Sequence, residues 1–247
     1  MNNKNERNLN KEYQDTANRK YAYEFDYLLR DYMLDEFKPH FKGRALEMGC
    51  YKGEFTKKLL EHFDDVTVLE GSSDLIQEAK KNTGGRAKFV NSMFEDAKLD
   101  GQYDSIFLMH TLEHLDNPTK ILNHINKWLS PSGVLFLVVP NAHAASRLIA
   151  VKMGLIDYPT AVTEGERLHG HRCTYNMGLL KEEVNKSILK IKGEGGVFFK
   201  PFANFQFDKL MNTDIIDKSY LDGCYKLGKD FPDLCASIYL LCGKGNK

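Results

Sequence analysis

Between Arg44 and Pro140, short β-type runs alternate with helical ones, and that alternation restricts the chain to few architectures. RALEM, DVTVLE, AKFVN, YDSIFLM and VLFLVVP have strand length. EFTKKLLEHF, SDLIQEAKKN and the segment from Pro118 to Trp128 carry helical spacing. Ser72 or Ser73 is placed to cap the second helix, and Asn117-Pro118 supplies a cap and a first-turn proline to the third. SPSG reads as a turn before VLFLVVP. Strands separated by helices of this length predict parallel βαβ units. VLFLVVP is apolar throughout, as in a strand covered on both faces.

Residues 40 to 141 therefore predict five strands. GGVFFK and LCASIYLLCG add two more, after a helix near Leu179–Ser187. The expected fold is α/β: a doubly wound, Rossmann-like, seven-stranded, mostly parallel sheet with helices on both faces. A lid insertion is expected after strand five. One domain spans 1–247, with an N-terminal helix at about 16–38, a core at 40–141, the lid at about 142–176, and a C-terminal helix and strands at 177–243. The first helix has Tyr21, Phe25, Leu28, Leu29, Tyr32 and Met33 on one side. Residues 1 to about 15 are polar and are expected to fray.

In open parallel sheets, ligands sit beyond the carboxyl ends of the strands. The stretch ALEMGCYKGEFTKKLL delivers Gly49 and Gly53 to that place. Gly49 permits a sharp turn, and Gly53 permits close approach of a ligand or of the helix. Glu70 ends the next strand, where a carboxylate can accept hydrogen bonds from ribose hydroxyls. A dinucleotide turn carries a third glycine so that pyrophosphate can approach the backbone. Here the middle position is Tyr51, and Glu47 lies just before the turn. A carboxylate there repels a pyrophosphate and suits a cation. S-adenosylmethionine has a ribose, an ammonium and a sulfonium and no phosphate, so the charges favour it over NAD.

LEMGCYKGEFT resembles the first motif of class I S-adenosylmethionine-dependent methyltransferases, written E/D-x-G-x-G-x-G, with Tyr51 standing where many members have glycine. VLEGS resembles their second motif, FVNSMFED the third, YDSIFLMHTLEHLDNP the fourth and WLSPSGVLFLVVPN the fifth. The resemblance implies S-adenosyl-L-methionine as methyl donor and S-adenosyl-L-homocysteine as product. It implies that Gly49, Cys50, Tyr51 and Gly53 form the turn beside the methionine moiety. Glu70, followed by Gly71 and Ser72, would take the ribose. Met93 and Phe94 would contact the adenine, and His110 would lie near the methionine part. Tyr51 would narrow the turn or stack on the ligand. LHGHRCTY and GGVFFKPFANFQFDKL resemble, more loosely, a bacterial subgroup that methylates sugars and other polar precursors of cell-surface polysaccharides. NRKYAYEFDY fits that subgroup, with Arg19, Lys20, Tyr21 and Tyr23 able to close over the cofactor carboxylate or an anionic substrate.

Several of the eight histidines fall where an acceptor would sit. His143 follows strand five, and LHGHRCTY places His169 and His171 in the insertion. An imidazole titrates near neutrality and is a fitting general base, so these three are the catalytic candidates. HTLEH also matches the inverted zinc-protease pattern H-x-x-E-H. That pattern needs a sustained helix, whereas here a strand runs in and a new helix starts at Asn117-Pro118. No metal is assigned. An O-methyltransferase for a small polar metabolite or sugar precursor is the expectation. An N-methyltransferase on a small amine or amide, and a catalytically idle domain that binds S-adenosylmethionine or a partner, are the alternatives.

Composition removes other classes. The net charge is zero, so there is no electrostatic footprint for nucleic acid. No apolar run reaches the roughly 18 residues of a membrane helix. The five cysteines form no C-x-x-C pair and read as reduced thiols of a cytoplasmic protein. A homodimer is an open possibility.

Overall fold

The computed structural model describes residues 9–15 and 20–246. Its centre is a seven-stranded sheet in the order β3-β2-β1-β4-β5-β7-β6. The strands are β1 (Ala45–Met48), β2 (Val66–Glu70), β3 (Lys88–Asn91), β4 (Tyr103–Met109), β5 (Leu129–Pro140), β6 (Lys190–Phe199) and β7 (Cys235–Gly243). β1 to β5 pair in parallel, and β7 runs antiparallel between β5 and β6. The helices are α1 (Leu9–Glu12), α2 (Glu24–Phe37), α3 (Glu54–Leu59), α4 (Ser73–Asn82), α5 (Pro118–Trp128), α6 (Ala145–Lys152), α7 (Glu164–Leu168), α8 (Met177–Asn185), α9 (Asn204–Met211) and α10 (Lys218–Asp230). No described helix is long and apolar enough to cross a membrane. All five cysteines are free thiols.

The period-two alternation of the strands sorts the core into two layers. Phe107, Phe136 and Val138 face a layer shared with α2 and α10. Leu46, Ile106, Leu135 and Leu137 face the layer built on α5 and α8. Phe107 and Phe136 stack at 4.7 Å across β4 and β5. Ser72 and Asn117 cap α4 and α5, each accepting the backbone N–H three positions on. SPSG is a bulge inside β5 rather than a turn before it. Tyr103 pairs with Leu129 and Ser105 with Val134, so the extra residues loop out while the ladder continues. Ser130 Oγ fastens the bulge by donating to Asp104 Oδ1 at 2.6 Å.

The N-terminal region departs from expectation at two points. The long helix begins at Glu24, not near residue 16, because Asp26 reaches back to the Tyr23 N–H at 2.9 Å. Asp208 on α9 accepts the Glu24 and Phe25 N–H groups, satisfying donors that a helix start leaves orphaned. Arg19, expected in this helix, lies outside the described residues. Residues 9–12, expected to fray, form α1, which docks on the start of α4 where Ser72 Oγ donates to Asn10 Oδ1 at 2.6 Å. The phenylalanine-rich stretch before and in α9 is largely core. Phe207 stacks on Phe25 at 4.2 Å, and Phe198 meets Phe25 edge-on at 5.2 Å.

Glu47 is corrected as well. From its place on the strand just before the turn, Glu47 was expected to face a cationic ligand. Strand alternation instead turns it into the α2-side layer, where it is 2% exposed. It accepts from Thr56 Oγ1 of α3 at 2.5 Å. Burial pushes its pKa up to about 7, with the Thr56 bond and Arg30 opposing and Glu70 adding to the rise.

Two outcomes follow from this packing. Phe207→Ala should cost about 3–5 kcal/mol in urea denaturation, since it opens a cavity at the α2–α9 contact. For Glu47, the folded state holds its proton longer than the unfolded state, whose carboxyl titrates at the ordinary 4.5. The wild type therefore loses stability as pH rises from about 4.5 to about 7. Glu47→Gln lacks that loss, so its stability relative to wild type should rise by about 3 kcal/mol between pH 4.5 and pH 8. A pH-independent difference would refute the buried, proton-holding carboxyl.

Candidate functional site

A cavity of about 580 Å³ opens at the carboxyl ends of β1, β2, β4 and β5. Its first wall is the turn after β1. Gly49 has φ +81°, and a Cβ there would stand 2.9 Å from Thr111 Oγ1, so only glycine fits. The next amide, Cys50 N–H, donates to Glu70 Oε2 at 3.1 Å, and Ser72 N–H donates to Glu70 Oε1 at 2.8 Å. Glu70 thus ties two turns together while lining the cavity. The Cys50 side chain is buried behind the turn, outside the cavity lining, and burial pushes its thiol far up. Ser72 is likewise buried, and its hydroxyl caps α4.

Tyr51 adopts a left-handed φ of +49°, which explains why glycine suits this position and sets a cost of order 1 kcal/mol for tyrosine. Its ring points into the cavity and packs on Tyr21 at 5.0 Å and on Tyr13, edge-on, at 6.2 Å. Gly53 serves the other of its two expected uses. A Cβ there would meet Ala79 Cβ at 2.8 Å, so this glycine lets α3 approach α4 and does not reach the cavity. Gly71, Met93 and Phe94 line the wall beyond Glu70, with Met93 40% exposed.

His110 ends β4 at φ +50° with Nε2 2.8 Å from Ser237 Oγ. Burial, with the charges of Arg30, His171 and Lys200, pushes its pKa down to about 3, so it is a neutral imidazole at working pH. Of the three base candidates, His169 and His171 line the cavity. His143 does not. Its N–H turns back to Asn141 Oδ1 at 2.9 Å and its ring faces Asn176 at the start of α8. The residue after a strand end was taken to face the ligand, but this backbone turn sends it away.

The insertion leaves and rejoins the core at one place. Ala142 N–H donates to Tyr175 O at 2.8 Å, and Asn141 bridges Tyr175. Within it, Arg147 on α6 bonds Glu166 on α7 at 2.6 Å. Arg172 N–H donates to Glu113 O at 2.8 Å, which brings His171 to within 4.6 Å, ring to ring, of His114. As expected, HTLEH makes only a short 3-10 turn, Leu112–His114.

Two further residues were missed by sequence reasoning. Arg30 on α2 lines the cavity, and no ion pair reaches it among the described residues. The signal was a cation, Arg30, within the amphipathic helix whose apolar side was read. Glu113 also lines the cavity, is 1% exposed, and has its pKa pushed up to about 8 by burial.

The chain matches the model of the methyltransferase domain family over residues 13–187. It is 25% identical over 179 residues to the ubiquinone biosynthesis O-methyltransferase of Vibrio cholerae, covering 70% of this chain and 72% of the relative. In fold it resembles an S-adenosylmethionine-dependent methyltransferase from Clostridium acetobutylicum, with TM-score 0.58, 11% identity, and coverage of 90% of this chain and 93% of that one. It also resembles the N-methyltransferase NodS from Bradyrhizobium japonicum in complex with S-adenosyl-L-homocysteine, with TM-score 0.53, 13% identity, and coverage of 89% and 86%. The chain belongs to the methyltransferase domain family and is a class I S-adenosylmethionine-dependent methyltransferase.

Proposed function

We propose that the protein O-methylates a hydroxyl group of a small polar molecule. The observation that carries this reading is a single cavity that joins the Gly49–Glu70–Met93 wall to the imidazoles of the insertion. The O-methyltransferase relatives support oxygen over nitrogen. The loose resemblance of LHGHRCTY and GGVFFKPFANFQFDKL favours sugar precursors of surface polysaccharides as acceptors, and the relatives' names add ubiquinone precursors to be tried beside them.

S-adenosylmethionine, when bound, supplies a methyl group already activated by a sulfonium. The residues fit such a ligand. Arg30, a cavity cation without an ion pair among the described residues, matches its carboxylate. Glu70 lines the cavity, held in place by the two turn amides, where an acidic side chain can accept from ribose hydroxyls. Met93 and Phe94 flank an adenine, and the Tyr21–Tyr51 pair offers π-faces to a cation. The cavity holds the acceptor oxygen in line with the methyl carbon, which supplies much of the rate. The hydroxyl proton passes to His169 or His171, the two base candidates that border the cavity. His143 is withdrawn from that role.

Calorimetric titration with S-adenosyl-L-homocysteine tests the cofactor half. Wild type should bind, and Glu70→Ala and Arg30→Leu should each weaken binding by about tenfold or more. Equal affinity in both variants would overturn the assignment. On an acceptor found by screening sugar nucleotides and ubiquinone precursors, His143→Ala should turn over as wild type. His171→Ala should fall by about 100-fold or more. A methylated amine as product would replace the O-methyl reading with the N-methyl one.

A further inference from the structure

The carboxylate of Glu113 has no assigned partner, although it lies at the acceptor end of the cavity. Neither of its oxygens has a hydrogen bond among the described residues, and the side chain is 1% exposed. A buried carboxyl in that state costs several kcal/mol unless something satisfies it. Two imidazoles stand beside it. His114 Nε2 is 4.0 Å from Glu113 Oε1, and His171 comes down from the insertion onto His114. One ligand atom from each of Glu113, His114 and His171 lies within 4.8 Å of the other two.

We propose that Glu113, His114 and His171 bind a divalent first-row transition-metal ion at the acceptor end of the cavity. The donor set is one carboxylate oxygen and two imidazole nitrogens. It suits zinc, manganese, iron or cobalt better than magnesium or calcium, which prefer all-oxygen shells. Zinc–nitrogen bonds of about 2.0–2.1 Å place neighbouring ligands of a tetrahedral ion roughly 3.4 Å apart. The trio's ligand atoms, within 4.8 Å of one another, would close to that spacing on the ion.

The backbone around the trio is organised to hold it together. Glu113 and His114 are adjacent in the short 3-10 turn after β4. The Glu113 carbonyl receives the Arg172 N–H at 2.8 Å, and the Glu166 carbonyl receives the His171 N–H at 3.0 Å. Gly170 has φ +84°, and a Cβ there would meet the Glu12 carboxylate first and then come within 3.3 Å of His114 Nδ1, so glycine permits the loop to settle beside both. Three protein ligands leave at least one coordination position open. All three residues line the cavity, so that position faces the acceptor's space.

The ion's part in catalysis rests on the hydroxyl-acceptor reading above, but its binding does not. An acceptor hydroxyl on the open position is oriented toward the methyl group and made more acidic by the cation. Its oxygen forms the new bond to the methyl carbon as the carbon–sulfur bond breaks. The proton leaves to His169, the imidazole the ion does not use.

The test uses tag-free protein freed of metal with a chelator. Cobalt(II) is titrated and followed by its visible d–d absorption, and zinc is titrated by calorimetry. One equivalent should bind, with d–d bands of a nitrogen- and oxygen-ligated ion. Glu113→Gln and His171→Ala should each weaken binding by about tenfold or more. Affinity for S-adenosyl-L-homocysteine, read on the same samples, should stay within about twofold of wild type, reporting that the variants are folded. No uptake by wild type would overturn the proposal. So would uptake equally tight in both variants, or thiolate-to-cobalt charge-transfer bands, which would put the ion on a cysteine. Absent S-adenosyl-L-homocysteine binding with intact metal uptake would support the metal site and refute the cofactor assignment instead.

Discussion

The site depends on one carboxylate and two backbone amides. Glu70, at the end of β2, accepts from Cys50 N–H in the turn after β1 and from Ser72 N–H at the head of α4. Both bonds lie out of water, since Glu70, Cys50 and Ser72 are all buried. They hold the turn so that Gly49 presses against Thr111 and Tyr51 is left in the αL region. Tyr51 then projects its ring into the cavity, where Tyr13 and Tyr21 pack on it and bring the N-terminal segment over the opening. A side chain expected only to bind a ribose is thus first a structural brace. The brace fixes the carboxylate before any ligand arrives, which lowers the ordering cost of binding.

The charges around this brace are sorted by depth. Glu47 lies in the core beneath the turn and holds its proton to about pH 7. Arg30 stands in the cavity above it, lowering the pKa of both Glu47 and His110. His110 is left neutral, with Nε2 against Ser237. The cavity therefore offers a cation, Arg30, and an acidic side chain, Glu70, at separate places, as a zwitterionic ligand with a ribose requires.

The strands and most helices of the core were legible because each carries its own local pattern, from the apolar run of β5 to the capped starts of α4 and α5. The bulge at SPSG was not, since turn residues announce a change of direction without saying whether pairing resumes beyond it. α10 escaped notice because Gly223 and Gly228 interrupt its helical signal, and Gly228 is there to let Cys235 and the β6 backbone pack closely. At the site, motif spacing located Gly49, Glu70 and Met93. What each glycine was for depended on neighbours distant in sequence: Thr111 for Gly49, Ala79 for Gly53. The same limit separates His143 from His171. Both sit among loop residues of similar character, and what separates them is the His143 N–H bond to the Asn141 side chain and the Arg172 N–H bond to the Glu113 carbonyl.

The two ends of the cavity differ in how they are held, and this bears on what relatives can tell about the acceptor. The cofactor end is made by strand termini inside the sheet, where moving one residue disturbs the ladder. The other end is made by the segment 142–175, which closes on itself at Asn141 and Tyr175. It is braced internally by Arg147 and Glu166, a pair in which burial would raise the Glu166 pKa but the guanidinium holds it below the usual range. Such a loop can change its side chains without touching the sheet, so a relative at 25% identity shares the means of presenting a methyl group more securely than the molecule that receives it. The acceptor has to be read from the insertion's own chemistry, and there the residues that face inward are imidazoles and a buried carboxyl.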